Sequence, residues 1–231
     1  MDWGLRYGAC CSAAGPVTVM ESRYTPREEI ANSIIHGLGI IASIVGLAVL
    51  VGFAARAGDT RALVAGSIFG TTLILAYTAS TLYHGVPVAR ARPVLRKLDH
   101  VAIFLLIAGT YTPFTLLALD GPVGWTLFCV IWGLAIFGII FEFTPLRRYT
   151  GLAVALYLLM GWAGIVAIKP LAASLERGGL ILMLLGGAAY TVGVVFYVWR
   201  RLPYSHAIWH AFVLTGSVLH YLAILFYIIL D

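Results

Sequence analysis

The chain has 231 residues, of which 61% are hydrophobic and only 11% are charged, and its formal net charge is +5. A soluble domain has about 45–50% apolar and about 25% charged residues, so this composition excludes an ordinary water-soluble protein. The basic residues fall at the ends of apolar stretches, as is typical of membrane proteins, and they predict no nucleic-acid binding. The predicted class is an integral membrane protein.

Apolar stretches of the length that spans a bilayer recur along the chain. In hydrocarbon every backbone polar group needs an internal hydrogen-bond partner, so these stretches should be helices. The expected fold is an all-α bundle of seven transmembrane helices. The predicted spans are 31–55, 62–85, 99–119, 122–142, 149–168, 178–199 and 205–230.

One membrane domain, residues 24–231, is expected to follow a flexible tail at residues 1–23. Met20 is followed by a more ordinary beginning, which makes residues 1–19 a candidate upstream extension of the true start. Within the spans, several glycines suit close helix packing, as small residues do in membranes. They are Gly124, Gly133, Gly186, Gly187 and Gly193.

The distribution of Lys and Arg predicts the orientation. Eleven of the 15 lie in the tail and in the second–third, fourth–fifth and sixth–seventh connections. Cytoplasmic connections carry the excess of basic residues, so the N-terminus should lie inside and the C-terminus outside. This is opposite to the orientation of G-protein-coupled receptors.

Ionisable and polar groups near the ends of the first two spans are functional candidates, because such groups are expensive in a membrane. The first span carries Glu29, Asn32 and His36, which are spaced three and four residues apart and share one helical face. The second ends with Ser80 and His84, again one turn apart.

Two further polar clusters open the third and seventh spans. The third is predicted to begin at Asp99 and His100, and the seventh carries His206 and His210 one turn apart. All four clusters fall at predicted cytoplasmic helix ends, where they can converge. A histidine pair at i and i+4 can present two imidazoles to one metal ion, and His84 would complete a three-histidine site.

Simpler structural roles remain open for some of these residues. His100 and His220 are interpreted as interfacial or capping residues and are left out of the metal set. His220 lies fourteen residues beyond His206, or roughly 21 Å along a helix. Asp99 is suited to a helix N-cap, and the polar residues of the first two spans are suited to capping or packing.

Three motifs in this order resemble the hemolysin III branch of the progestin and adipoQ receptor superfamily, over about residues 24–231. They are Glu29-Ile30-Ala31-Asn32-Ser33-Ile34-Ile35-His36, Ser80-Thr81-Leu82-Tyr83-His84 followed by Asp99, and His206-Ala207-Ile208-Trp209-His210.

The resemblance implies zinc held by His84, His206 and His210, with Asp99 contacting the metal-bound water. It also implies hydrolysis of lipid amides such as ceramide, a role in membrane-lipid homeostasis, and a place in the bacterial cell membrane. The expected partners are membrane lipids, including a lipid substrate or ligand within the bundle.

Three histidine ligands leave a fourth position open, as in catalytic zinc sites, although histidine also suits iron. Asp99 would then accept a proton from water, and Ser80 would support the histidine ligands or donate a hydrogen bond to an oxyanion. Glu29, Asn32 and His36 would support the ligands. A non-catalytic zinc-stabilised lipid-sensing receptor or regulator, and a pore-forming cytolysin, remain as alternatives.

Overall fold

The computed structural model describes residues 24–119, 121–199 and 201–230. The predicted tail, residues 1–23, lies outside the described residues. Within the described ranges the chain is helical and has no β-strand. The α-helices are α1 (Pro26–Ala57), α2 (Thr60–Gly85), α3 (Arg92–Pro113), α4 (Gly121–Glu142), α5 (Thr150–Trp162), α6 (Ile168–Ser174), α7 (Arg177–Val198) and α8 (Ser205–Ile224).

Short segments of other helical types extend or join these helices. A π-helical turn, Phe114–Ala118, extends α3, and another, Leu225–Ile229, extends α8. A 3₁₀ segment, Ala163–Ala167, joins α5 to α6, so that the two form one span. In the described part of the chain, seven helices are long and apolar enough to cross a membrane, which confirms the predicted seven-helix bundle.

The start of α1 and its turn into α2 follow from local sequence. The Thr25 hydroxyl accepts from the Glu28 backbone N–H, and the Glu28 carboxylate accepts from the Thr25 N–H at 2.9 Å, which is a capping box. α1 ends at Ala57 and is capped by Gly58, whose φ of 70° lies in the left-handed region that glycine tolerates. The Asp59 carboxylate then accepts from the Arg61 N–H at 2.8 Å and begins α2.

The third helix begins earlier than predicted. α3 starts at Arg92, with Pro93 in its first turn, and Asp99 therefore lies about two turns inside the helix. The prediction that this helix starts at Asp99 is wrong, and so is the alternative that Asp99 acts as its N-cap. The cause is that Arg96 and Lys97 resemble a polar connection, whereas they extend the helix beyond its apolar part.

The fifth span is interrupted near its middle, and Tyr111 of α3 holds the interruption in place. The Tyr111 hydroxyl donates to the Gly161 carbonyl at 2.7 Å and accepts from the Gly164 N–H at 2.8 Å. These two bonds satisfy backbone groups that the change to 3₁₀ geometry would otherwise leave open. The span consequently reaches Ser174 rather than ending near residue 168.

The outer surface is apolar and the polar face of α1 points inward. Glu29, Asn32, His36 and Ser43 of α1 are buried. The opposite face of the same helix exposes Ile30, Ile34, Leu38, Ile41, Ile44 and Val45. This pattern suits a lipid solvent and reverses that of a soluble protein.

Close helix packing occurs at three of the five predicted glycines. A Cβ atom would lie 2.3 Å from a backbone oxygen at Gly124, 2.4 Å from the His220 ring at Gly186, and 2.8 Å from Phe212 at Gly193. Gly133 has nothing within 4 Å and Gly187 has only an ordinary contact, so for these two the prediction is wrong. A tighter approach is at Gly138, where a Cβ would lie 2.2 Å from the Phe104 ring.

Candidate metal centre

Three histidines from two helices meet at one end of the bundle. His84 is on the last turn of α2, and His206 and His210 are on the first turns of α8. One ring nitrogen of each lies within 4.8 Å of the others. The Nε2 atoms of His84 and His210 face each other at 3.2 Å. The structure thus brings together the three histidines that the sequence selected.

The first helix supplies the groups that hold His84. Its Nδ1–H donates to Oε2 of Glu29 at 2.6 Å, and the side-chain amide of Asn32 lies 3.3 Å from the same nitrogen. Glu29 is held in turn by an ion pair with Arg92. With a proton fixed on Nδ1, Nε2 of His84 is left with its lone pair directed at His210.

The donor set fits a zinc ion. Two nitrogens that are each about 2.0–2.1 Å from a tetrahedral zinc stand about 3.3 Å apart, close to the 3.2 Å between the His84 and His210 nitrogens. A histidine ligand whose second nitrogen donates to a carboxylate is also the usual arrangement around zinc. His206 is the third candidate ligand, and it is partly buried whereas His84 and His210 are buried.

His36 and Tyr24 pack on either side of the histidine cluster. The His36 ring lies with its centroid 3.8 Å from that of His210 and meets Tyr77 edge-on at 5.1 Å. The Tyr24 ring stacks on His206 at 4.7 Å. His36 therefore contacts a candidate ligand from within the bundle, while Tyr24 covers another from the chain that precedes α1.

Asp99 and Ser80 face the same space as the histidines. Both side chains line one cavity with His206 and His210. Among the described residues, the Ser80 hydroxyl has no hydrogen-bond partner, so it is available to a ligand in this cavity. Ser80 is almost completely buried. The carboxylate and the hydroxyl thus line the same cavity as two of the three candidate ligands.

A cavity of about 610 Å³ extends from this cluster into the bundle, between α2, α3, α5, α7 and α8. Asp99, His206 and His210 lie at one end, and Trp162 and His220 lie at the other. The separation of His206 and His220 along α8 makes it roughly 21 Å long. Its volume is within the roughly 300–1,000 Å³ of small-molecule sites.

His100 and His220 have partners of their own away from the cluster. His100 Nδ1 lies 3.3 Å from the carboxylate of Glu142, and His220 Nδ1 lies 2.8 Å from the carbonyl of Gly216. Neither belongs to the group of candidate ligands among the described residues.

Glu142 and Arg92 were not among the functional residues predicted from the sequence. Glu142 is 2% exposed at the end of α4, and the rule that selected the other ionisable groups in spans would have found it. Arg92 stood in a segment interpreted as a connection. Its pairing with Glu29, 63 residues away, has no local signal.

Seven apolar helices among the described residues, with a three-histidine cluster at one end, define a polytopic membrane protein with a candidate metal centre. The chain belongs to the haemolysin-III-related family, whose model matches residues 24–221. It is an integral membrane protein of the bacterial cell membrane.

Relatives from bacteria and animals match over most of their length. The chain is 46% identical to the hemolysin-3 homolog of Bacillus subtilis over 88% of this chain and 96% of the relative. It is 48% identical to hemolysin-3 of Bacillus cereus over 88% and 93% of the two chains. Identity to the human monocyte to macrophage differentiation factor is 31%, over 87% and 86%.

Proposed function

We propose that this protein is a zinc-dependent hydrolase of ceramide-like lipid amides that acts in membrane-lipid homeostasis. The observation that carries the proposal is the position of the histidine cluster and Asp99 together at one end of a cavity in a membrane domain. A lipid acyl chain suits the apolar length of that cavity, and its polar end would then lie beside the histidines.

Each polar residue at the cluster has a separate role in this proposal. His84, His206 and His210 would hold zinc, which when bound would supply a nucleophilic water near neutral pH and polarise an acyl carbonyl. Glu29 orients His84 through the hydrogen bond at Nδ1. Asn32 and His36 pack beside the ligands and limit their movement.

Asp99 and Ser80 act on the reacting atoms. The carboxylate of Asp99 accepts a proton from the attacking water as its oxygen bonds to the acyl carbon. When the carbon–nitrogen bond breaks, Asp99 returns that proton to the leaving amine. The Ser80 hydroxyl donates to the oxygen on which negative charge develops. The products are a free fatty acid and an amine.

Asp99→Asn tests the catalytic part of the proposal. The amide cannot accept the proton, so fatty-acid release from a panel of ceramides and phospholipids should fall by a factor of about 10²–10⁴ while zinc content is retained. Asp59→Asn is the matched control, because Asn caps α2 about as well as Asp and residue 59 is far from the cluster. Equal rates in parent and Asp99→Asn at equal zinc content would refute the role of Asp99.

A zinc site without turnover is the second candidate function. The ligands and Glu29 join α1, α2 and α8, so a bound ion would tie three helices together in a lipid-sensing regulator. This alternative predicts that zinc raises thermal stability while purified protein releases no fatty acid from any lipid. A pore-forming cytolysin is the remaining alternative, since two bacterial relatives are named hemolysin-3 or its homolog. That alternative predicts dye release from liposomes containing the protein.

A further inference from the structure

The mouth of the cavity carries an excess of positive charge. Its charged lining residues are Arg92, Arg96 and Arg147 with one carboxylate, Asp99. Arg92 is paired with Glu29. Across the described residues, no carboxylate forms an ion pair with Arg96 or Arg147. Within the part of the chain that the structure describes, the guanidinium groups of Arg96 and Arg147 therefore line the cavity without an ion-pair partner.

These two arginines reach the mouth from different elements. Arg96 is on α3, and Arg147 is on the 3₁₀ segment Pro145–Arg148 that follows α4. The neighbouring Arg148 does not line the cavity, since its guanidinium donates to the Tyr149 hydroxyl at 3.0 Å and lies over that ring. The positive mouth is thus formed by particular arginines rather than by every basic residue at this end of the bundle.

Residues of different chemical character line the cavity at successive depths along one face of α3. Arg96, His100, Ile103 and Ile107 recur at helical spacing and all line it. At 1.5 Å per residue, Asp99 lies about 4.5 Å deeper than Arg96, and Ile107 lies about 16 Å deeper. A ligand along this face meets guanidinium first, then the carboxylate beside the histidines, and then apolar side chains.

We infer that the ligand of this cavity is a lipid whose head group carries a phosphate, separated by a few bonds from its acyl carbonyl. A guanidinium group binds phosphate oxygens through paired hydrogen bonds, which makes Arg96 and Arg147 a suitable pair for such a head group. An uncharged lipid amide such as ceramide itself would leave both arginines unpaired, so this inference narrows the proposed substrates to ceramide-like lipids that carry a phosphate. The placement of the acyl carbonyl beside Asp99 rests on the proposed function, whereas the head-group site rests on the arginines.

The test is a binding measurement on the purified, zinc-loaded full chain in neutral detergent. The probes are a dioctyl ether analogue of phosphatidic acid and the matching dioctyl ether of glycerol, neither of which has an acyl bond to cleave. The phosphate ether should bind at least tenfold more tightly than the neutral ether. Equal affinity of the two would overturn the inference, and so would inorganic phosphate alone binding as tightly as the phosphate ether.

Paired variants separate the mouth from general surface charge. The double change Arg96→Gln with Arg147→Gln should weaken binding of the phosphate ether at least tenfold, to the level of the neutral ether. The control is Arg90→Gln with Arg148→Gln, which removes two exposed charges outside the cavity and should alter affinity less than twofold. An equal loss of affinity for the phosphate ether in both double variants would show an effect of general surface charge and would overturn the inference. The zinc content of each variant shows whether it has folded. If the Arg96 and Arg147 double variant loses zinc, the affinities of the two ethers for the parent protein decide whether the inference holds.

Fatty-acid release measured on the same preparations distinguishes this inference from the hydrolase proposal. Tight binding of the phosphate ether with no release from any lipid supports the head-group site and counts against the hydrolase. Fatty-acid release from neutral lipid amides, together with equal binding of the two ethers, supports the hydrolase and counts against the head-group site.

Discussion

Oε2 of Glu29 accepts a hydrogen bond from Nδ1 of His84 at 2.6 Å, and the other nitrogen of the same ring faces His210 at 3.2 Å. The carboxylate on α1 therefore determines which nitrogen of a residue on α2 is available to a metal ion. This contact links the motif of the first helix to the candidate ligands of the second and last helices.

Glu29→Gln should weaken zinc binding by roughly 10–100-fold, because loss of a charged partner makes a histidine ligand less basic and less well oriented. Competition with a chelator of known affinity measures the change. Glu28→Gln is the control, since the Glu28 carboxylate contacts Thr25 and the Tyr204 backbone N–H instead of a histidine. Unchanged zinc affinity in the Glu29 variant would contradict the orienting role.

Alanine at His84, His206 or His210 should each remove most of the bound zinc and lower the melting temperature, because the remaining ligands lose their common partner. Metal analysis of purified variants gives the zinc content. His220→Ala should keep about one zinc per chain, since His220 is bonded to a backbone carbonyl within α8. Full zinc content after His206→Ala and after His210→Ala would end the three-histidine assignment.

Gly138→Val should destabilise the bundle by about 1–3 kcal/mol, because the added methyl groups would overlap the buried Phe104 ring. Gly133→Val, on the same helix with nothing within 4 Å, should have a much smaller effect. Thermal unfolding in detergent compares the two variants. Similar melting temperatures would show that α3 and α4 are not packed as described.

A reporter fused after residue 231 should lie outside the cytoplasm, because eleven of the 15 Lys and Arg residues fall on the side of the N-terminus. A phosphatase that is active only in the periplasm should be active there, and a fluorescent protein that matures only in the cytoplasm should be dark. The reverse pattern would overturn the predicted orientation and would move the histidine cluster to the outer face.

Apolar length predicted the helices because every backbone polar group within lipid needs an internal hydrogen-bond partner. The positions of His84, His206 and His210 were also predictable, since alternating helix direction fixes which helix ends share a depth. The start of α3 was not predictable in the same way, because charged residues at a membrane surface occur both in helices and in connections. Pairings such as that of Arg92 with Glu29 depend on tertiary packing and have no pattern in sequence.

The sequence separation of the candidate ligands bears on how the protein is made. His84 and His210 are 126 positions apart. At about 5–20 residues per second, a ribosome needs roughly 6–25 s to proceed from one to the other. During that interval the nascent chain already carries Glu29 and His84 but cannot assemble the cluster. If the cluster binds zinc as proposed, metal loading would have to follow insertion of the last helix, and a chain truncated before residue 206 would remain metal-free however well its earlier helices had folded.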